Sequence, residues 1–255
     1  MLTFIKPFIY NQQTVMKTKL AIIIPCYNEA NRLNIQEFND FLSQNPTITF
    51  IFANDGSQDD TLKVLENICA INANASLLDF KENAGKAETV RKSLKAAQEK
   101  ITCEYYGYFD ADCATPLYEI LNVTNLTQQN RYKMILCSRI KRLGANVERK
   151  FSRHLLGRSF ATFASLVLKL PVYDTQCGAK ILHHSTIESV TSEKFISKWL
   201  FDIEVIFRVL KCPSQANEFY EYPLSKWHDI AGSKLKIMDF IKAPLELLKI
   251  WVKYR

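Results

Sequence analysis

Short apolar runs alternate with helically spaced apolar residues along the first part of the chain. Residues 20–24 form a continuous apolar run, and residues 48–53 repeat this pattern. Such runs are typical of strands that are buried on both faces of a parallel sheet. Between the two runs, Leu33, Phe38 and Leu42 recur at the spacing of a helix.

The same alternation predicts further elements up to residue 139 and a different organisation beyond it. We expect further strands over residues 75–80, 105–112 and 132–139, and helices over residues 61–71, 86–100 and 117–126. Downstream we expect helices over residues 159–170 and 197–211, a turn that leads into a strand over residues 173–182, and a strand over residues 217–224. Strands that alternate with helices predict a Rossmann-like α/β fold, with a mostly parallel sheet flanked by helices.

Polar side chains follow the predicted strands at the points where these strands end. In open parallel sheets, ligands bind outside the carboxyl ends of the strands. We therefore expect the polar residues to converge on one edge of the sheet and to form a site there. The residues concerned are Tyr27, Glu29, Asp55, Asn83, Asp110 and Asp112.

The pair Asp110 and Asp112 indicates a metal site. Two carboxylates one residue apart offer hard oxygen ligands to a divalent ion, which keeps its other ligands as water and phosphate. A solvated turn is the alternative, but the apolar run that precedes the pair places it at the edge of a cleft. We expect Mg²⁺ or Mn²⁺, rather than a protein side chain, to supply the positive partner. Thr115 is predicted to cap the helix that follows.

Composition and charge narrow the classes of protein that fit this pattern. The 255 residues are 47% hydrophobic and 23% charged, as in ordinary globular proteins, and the formal net charge is +7. That excess fits either a soluble surface or an anionic partner. The seven cysteines include no Cys-x-x-Cys pair, so we expect free, buried thiols in a reducing compartment. No apolar stretch approaches the ~20 residues that span a bilayer.

The segments "IIIPCYNE", "NDGSQDDT", "NAGK" and "DADCATP" together resemble the family 2 glycosyltransferases, which have the GT-A fold. The resemblance continues through "DTQCGAKIL", "WLFDIEVIF" and "WHDIAGSKL" to the polyprenyl-phosphate glycosyltransferases of that family. It implies an inverting transfer of a hexose, with glucose favoured, from a UDP-sugar to a polyprenyl (dolichyl-like) phosphate. The motifs do not specify the sugar, the lipid, the metal or the oligomeric state.

The resemblance also implies roles for individual residues of the donor site. Asp55 would bind the uracil and Lys86 would lie near the nucleotide. One departure is Asn54, which stands where the family usually has an aspartate. The other implied donor residues are Pro25, Tyr27 and Glu29 in the nucleoside pocket, Lys234 at the diphosphate, and Asp110 and Asp112 at the metal and diphosphate.

A basic stretch after residue 138 is the candidate acceptor site. Arginine forks match phosphate oxygens, and the resemblance favours Arg139, Arg149 and Arg153 as ligands of the acceptor phosphate; a solvated basic loop is the alternative. A phosphate acceptor is already ionised near neutral pH and needs no strong base. For a hydroxyl acceptor, Asp174, Asp202 or Glu204 would be the base; for a phosphate acceptor they would organise the sugar or the arginines.

The C-terminal segment combines helically spaced apolar residues with lysines. It is either a helix packed on the domain or an amphipathic helix at a membrane interface, and a lipid-phosphate acceptor favours the second. The predicted organisation is an N-terminal arm (1–18), a GT-A catalytic domain (19–235) and a membrane-interface helix (236–255), peripheral on the cytoplasmic face of an anionic membrane.

Two other functions stay open at this point, and a third is disfavoured. The first is a family 2 glycosyltransferase that uses a hydroxyl acceptor in polysaccharide or glycolipid synthesis. The second is an inactive module that binds a nucleotide-sugar. A nucleic-acid partner is disfavoured, because the basic residues lack interleaved aromatic stacking positions.

Overall fold

The computed structural model describes residues 3–4, 20–129, 131–148, 151–212, 216–229 and 237–255. The strands are β1 (Thr3–Phe4), β2 (Leu20–Cys26), β3 (Ile48–Asp55), β4 (Ala75–Phe80), β5 (Tyr105–Phe109), β6 (Met134–Ser138), β7 (Asn146–Glu148), β8 (Ala179–His183), β9 (Phe219–Pro223) and β10 (Lys226–His228). The helices are α1 (Ile35–Gln44), α2 (Thr61–Ile71), α3 (Lys86–Lys100), α4 (Tyr118–Thr127), α5 (Phe151–Leu168), α6 (His184–Thr191), α7 (Phe201–Lys211) and α8 (Ile237–Tyr254). A single 3₁₀ turn, Ala216–Glu218, precedes β9.

The main sheet has the strand order β1-β4-β3-β2-β5-β8-β6-β9. Strands β4, β3, β2 and β5 run parallel to one another, and β9 runs parallel to β6. Strand β8 is inserted between β5 and β6 and is antiparallel to both. The predicted mostly parallel sheet is therefore confirmed. A second, two-stranded sheet pairs β7 with β10.

Both faces of the main sheet are covered by helices, as the continuous apolar strands predict. In β2, Ile22 and Ile24 belong to the apolar cluster that contains α1 and α2, whereas Ala21 and Ile23 belong to the cluster on the opposite face, with α3. Successive strand residues point to opposite faces, so an apolar residue is needed at every position.

The structure corrects several predicted boundaries. Strand β5 ends at Phe109 rather than at residue 112, because residues 111 and 112 form a turn, and Cys113 after them has a φ of 53°. The following helix begins at Tyr118 with Leu117 at its N-cap, so the predicted cap by Thr115 is wrong. Helix α5 begins at Phe151, earlier than predicted, and α6 was not predicted.

The cysteines and the helices bear on two further expectations. All seven cysteines are free thiols, and all but Cys212 are buried, as predicted. Within the ranges given above, we find no helix with both the length and the apolar character that crossing a bilayer requires.

Candidate active site

Four loops follow the parallel strands at their carboxyl ends and meet at one edge of the sheet. They come after β2, β3, β4 and β5, and the start of the antiparallel β8 reaches the same edge. This is the convergence that the strand-end pattern predicts.

Asp110 and Asp112 lie directly after β5 and are paired with protein cations. The Lys86 ammonium, at the start of α3, forms an ion pair with Asp110 Oδ1. Arg32 Nη2 lies 3.9 Å from Asp112 Oδ2, and Arg32 Nη1 lies 3.2 Å from Glu29. The expectation that a metal alone neutralises the pair is therefore wrong: two cations from other parts of the chain contribute.

The pKa values of Asp112 and Lys86 are shifted by burial and by the charges of their neighbours. Burial, and then the charge of Asp110, raise the pKa of Asp112 above its ordinary value. Burial disfavours the charged form of Lys86, but Asp110, Asp202 and Asp112 outweigh it and raise the Lys86 pKa. The side chains of Asp110 and Asp112 are 38% and 28% exposed, so both are open to a ligand. Their oxygens are a donor set that suits Mg²⁺ or Mn²⁺.

Gly178 makes the position of Asp110 possible. A methyl group at Gly178 would overlap the Oδ2 and Cγ atoms of Asp110. The "DTQCG" turn therefore presents bare backbone to the carboxylate, which lies where any other residue would place its Cβ. The sequence indicated a turn here, but not its partner.

The loops after β2 and β3 are bonded to each other. The backbone N–H of Asn28 donates to Ser57 Oγ at 3.0 Å, and that of Glu29 donates to Thr61 Oγ1 at 2.8 Å. Asn28 has a φ of 52°, a left-handed conformation that asparagine tolerates. Pro25, Tyr27 and Glu29 are half-buried at this edge, so the predicted nucleoside pocket has its residues in one place.

Asp55 has a partner that the sequence did not predict. Its two carboxylate oxygens accept from the backbone N–H groups of Ala84 and Gly85, each at 2.8 Å, and the residue is buried. Asp55 thus fixes the "NAGK" loop that presents Lys86. Its contact with uracil stays a prediction.

The hydrogen bonds of the neighbouring Asn54 explain why this position departs from the family pattern. Its Nδ2 donates to Asp79 at 2.8 Å, and its Oδ1 accepts from the backbone N–H of Ser57. An ionised aspartate at this buried position could accept but could not donate, and it would face the carboxylate of Asp79. The amide is thus the group that satisfies both partners.

Asp202 lies in the first turn of α7, beneath the site. Its Oδ1 lies 2.7 Å from the ammonium of Lys180 and accepts from the Tyr108 hydroxyl at 2.6 Å. Lys180 and Asp202 are both buried. Lys180 is absent from the sequence-based candidates because an isolated lysine in a strand carries no local signal of burial.

Arg139 is held by Asp174 rather than projecting freely. Its Nε and Nη2 donate to the two carboxylate oxygens at 2.6 and 2.8 Å. Asp174 raises the pKa of Arg139 despite the opposing effect of burial. Glu221 accepts from the backbone N–H groups of Tyr173 and Asp174, and the Arg139 guanidinium lies 5.3 Å from the ring centroid of Trp227.

The remaining predicted residues of the donor and acceptor sites lie partly outside the described residues. Arg149 and Lys234 lie outside the described residues. Arg153 lies in the first turn of α5. Arg158, further along α5, has its guanidinium 3.5 Å from the ring centroid of Tyr173, next to Asp174. A basic cluster on the acceptor phosphate therefore stays a prediction.

Comparison with known proteins places this geometry in a family. The family model described as "Glycosyl transferase family 2" matches residues 21–190. Similar curated proteins include a dolichyl-phosphate beta-glucosyltransferase of Trichomonas vaginalis, 27% identical over 98% of this chain and 74% of that protein. The Drosophila melanogaster protein of that name is 29% identical over 92% of this chain and 75% of its own length.

Solved structures resemble the fold. Glucosyl-3-phosphoglycerate synthase from Mycobacterium tuberculosis, in complex with Mn²⁺, UDP-glucose and phosphoglyceric acid, superposes with a TM-score of 0.68. The match covers 92% of this chain and 80% of that chain, at 15% identity. The predicted GT-A fold is confirmed.

Proposed function

Since the chain belongs to glycosyl transferase family 2, we propose that it transfers glucose from UDP-glucose to a polyprenyl phosphate of the dolichyl type. Membership of the family makes it a glycosyltransferase. The observation that carries the finer proposal is the cluster of Asp110, Asp112 and Lys86, partly exposed at the carboxyl edge of the sheet. The names of the relatives support glucose and the dolichyl phosphate.

On the donor side, the residues supply positioned charge. Asp110 and Asp112 would hold a divalent ion, which when bound would stabilise the negative charge that develops on the departing diphosphate. Lys86 starts α3, and the N-terminus of a helix favours anions. We expect its ammonium to move from Asp110 towards the diphosphate when the donor binds. Asp55 keeps Lys86 in place through the backbone of Ala84 and Gly85.

On the acceptor side, the environment of two carboxylates favours a phosphate over a hydroxyl. Asp174 is held by Arg139, and Asp202 is held by Lys180 and Tyr108. A buried carboxylate whose oxygens already accept from a cation or a hydroxyl is poorly placed to take a proton from an acceptor hydroxyl. A phosphate oxygen that is ionised near neutral pH can attack the anomeric carbon without such a base.

The proposed transfer is a direct substitution at the anomeric carbon and involves no change of oxidation state. The acceptor oxygen forms a bond to the anomeric carbon as the bond from that carbon to the diphosphate oxygen breaks. UDP leaves with the electron pair, and an α-linked donor gives a β-linked product. The protein lowers the barrier mainly by positioning and by charge.

The location follows from the acceptor. A polyprenyl chain stays in the bilayer, so the enzyme must reach the membrane surface, and we propose a peripheral association through α8. The exposed side chains of α8 include Leu245, Leu248 and Val252, with Lys249 and Lys253 among them. We propose the cytoplasmic face, where anionic lipid attracts lysines.

The test is a transfer assay with purified protein. UDP-glucose, UDP-galactose, UDP-N-acetylglucosamine and GDP-mannose, each labelled in the sugar, are incubated with dolichyl phosphate in detergent and Mn²⁺. We expect label from UDP-glucose in the lipid fraction, with a β-linkage by NMR, and its loss with EDTA or in Asp112→Asn. Transfer to a glycolipid hydroxyl but not to the lipid phosphate would favour the alternative acceptor. UDP binding without transfer to any acceptor would favour the inactive module.

A further inference from the structure

A buried lysine beneath the donor site has no role on the donor side of the chemistry described above. Lys180 is fully buried on β8, directly across from Tyr108 on β5. Its ammonium donates to the carbonyl of Cys177 at 2.6 Å and lies 2.7 Å from Asp202 Oδ1. Burying an ammonium is costly unless it is paired and hydrogen-bonded. A buried ammonium at the second position of a strand points to a specific task.

That task concerns Lys86, which could pair with either of two carboxylates, that of Asp110 or that of Asp202. Lys86 is paired with Asp110, and its ammonium also lies 5.9 Å from the ring centroid of Phe201, the neighbour of Asp202. The ring centroid of Phe201 lies 5.9 Å from that of Tyr108, whose hydroxyl donates to Asp202 Oδ1. An unpaired Asp202 would attract Lys86 strongly, because charges interact more strongly in a buried, low-dielectric setting.

We propose that Lys180 is a positioning residue of the donor site: it neutralises Asp202, so that Lys86 stays at Asp110 and available to the diphosphate. The inference rests on the proposed function for the identity of that ligand. A second contact acts in the same direction. The carbonyl of Cys177 that Lys180 holds precedes Gly178, the residue against which Asp110 lies. Lys180 thus helps to hold both members of the ion pair, Asp110 and Lys86, in place without contacting the donor.

A charge-removal series tests this role. The variants are Lys180→Met, Asp202→Asn and the double variant, and the readout is the UDP dissociation constant in Mn²⁺, measured by calorimetry. We expect Lys180→Met to weaken UDP binding by about tenfold or more, and the double variant to return to within about threefold of the wild type. A double variant as weak as Lys180→Met would overturn the proposal, because the loss would then not come from the unpaired charge of Asp202. Unchanged affinity in Lys180→Met would overturn it as well.

A second readout needs no nucleotide. The rate at which acetic anhydride modifies Lys86 is measured by mass spectrometry, with the exposed Lys63 as the internal reference. We expect slower modification of Lys86 in Lys180→Met, where Lys86 moves towards the buried Asp202, and recovery in the double variant. Equal rates in the wild type and Lys180→Met would contradict the proposal. If the wild type binds no UDP, the proposed function fails, while this readout still decides the role of Lys180.

Thermal unfolding shows whether each variant folds. If Lys180→Met does not fold, the double variant alone decides, since it removes both buried charges together. UDP affinity within about threefold of the wild type then supports the positioning role, and a loss of about tenfold or more overturns it.

Discussion

At the scale of single residues, the position of Asp110 depends on the absence of a side chain at Gly178. We predict that Gly178→Ala lowers kcat/KM for glucose transfer by about 100-fold, because a displacement of catalytic geometry by about 1 Å costs that much. The new methyl group would overlap Asp110 and push its carboxylate away from Lys86.

The matched control is Gly144→Ala. A methyl group at Gly144 meets no atom within 4 Å, although its φ of 80° adds some backbone strain. We expect Gly144→Ala to cost about 1 kcal/mol of stability and to leave kcat/KM within a few-fold of the wild type. Equal rates for Gly178→Ala and the wild type would contradict the role given to Gly178.

The residues at the strand ends could be predicted from the sequence, whereas their partners could not. Asp55, Asp110 and Asp112 stand out because each follows an apolar run, and such a pattern is local. The contact between Gly178 and Asp110, by contrast, depends on two strands meeting with one register. The salt bridge of Arg32 depends on the direction in which a loop side chain points, which no periodicity encodes.

At the scale of elements, Glu119 links α4 to the segment that carries β10. This fully buried carboxylate accepts from the backbone N–H groups of Ser225 and Lys226 at 2.8 and 3.0 Å, and from the Tyr222 hydroxyl. Burial acts to raise the pKa of Glu119, but hydrogen bonds from Ser225, Asn122, Lys226 and Tyr222 outweigh it, so the pKa is lowered.

We predict that Glu119→Gln lowers the free energy of unfolding at pH 7 by about 1–3 kcal/mol, since it weakens charge-assisted hydrogen bonds. A lowered pKa in the folded state contributes stability above the unfolded-state pKa of about 4.3, and this is lost as the pH falls through the folded-state pKa. The difference between wild type and variant should therefore shrink in acid. Urea unfolding at pH 7 and at a pH below that unfolded-state pKa measures the difference in unfolding free energy between wild type and variant. A difference that grows in acid would refute the stabilising role of the ionised Glu119.

Helix α8 has two apolar faces. One face packs on the domain, as the first of the two alternatives for this segment predicted, and the other face is exposed. Ala243, Leu247 and Ile250 are buried, and the buried Tyr254 donates to Glu204 at 3.1 Å. On the other face, the large apolar side chains are more than half exposed: Leu245 64%, Leu248 53% and Val252 56%. Whether residues 236–255 act as a membrane-interface segment stays a proposal, which this second face supports.

We predict that replacing Leu245, Leu248 and Val252 together by serine weakens binding to vesicles of phosphatidylcholine and phosphatidylserine by about tenfold or more, because three apolar side chains lose their burial in lipid. Sedimentation with the vesicles measures the partition. The matched control, Leu247→Ser on the packed face, should instead lower the free energy of unfolding by several kcal/mol, as large buried apolar losses do. Unchanged vesicle binding in the triple variant would argue against α8 as the membrane contact.

At the scale of the whole molecule, the alternation of strands and helices predicted the layers of the fold, because burial on both sheet faces leaves a continuous apolar signature. The insertion of β8 between β5 and β6 could not be predicted in the same way. Its residues are as buried as those of a parallel strand, and Lys180 within it is paired by residues distant in sequence. Sheet order is set by long-range pairing, on which local patterns are silent.

The donor site itself is a property of the whole molecule, since its residues come from loops after several strands. Each loop is tied to another, as Asn28 is to Ser57 and Asp55 is to Gly85, so a ligand that contacts them all binds only the folded chain. Such a ligand stabilises the fold by mass action, by about 2.7 kcal/mol at a hundred times its dissociation constant.

We predict that UDP with Mn²⁺ at that concentration raises the unfolding temperature by about 5–10 °C, the shift expected for a domain of this size. UDP with EDTA should give a much smaller shift, because without a metal the partly exposed carboxylates of Asp110 and Asp112 would repel the diphosphate. Differential scanning calorimetry measures both shifts, and Asp112→Asn should remove most of the difference between Mn²⁺ and EDTA. Equal stabilisation by UDP in the presence and absence of the metal would show that Lys86 and Arg32 alone neutralise the site.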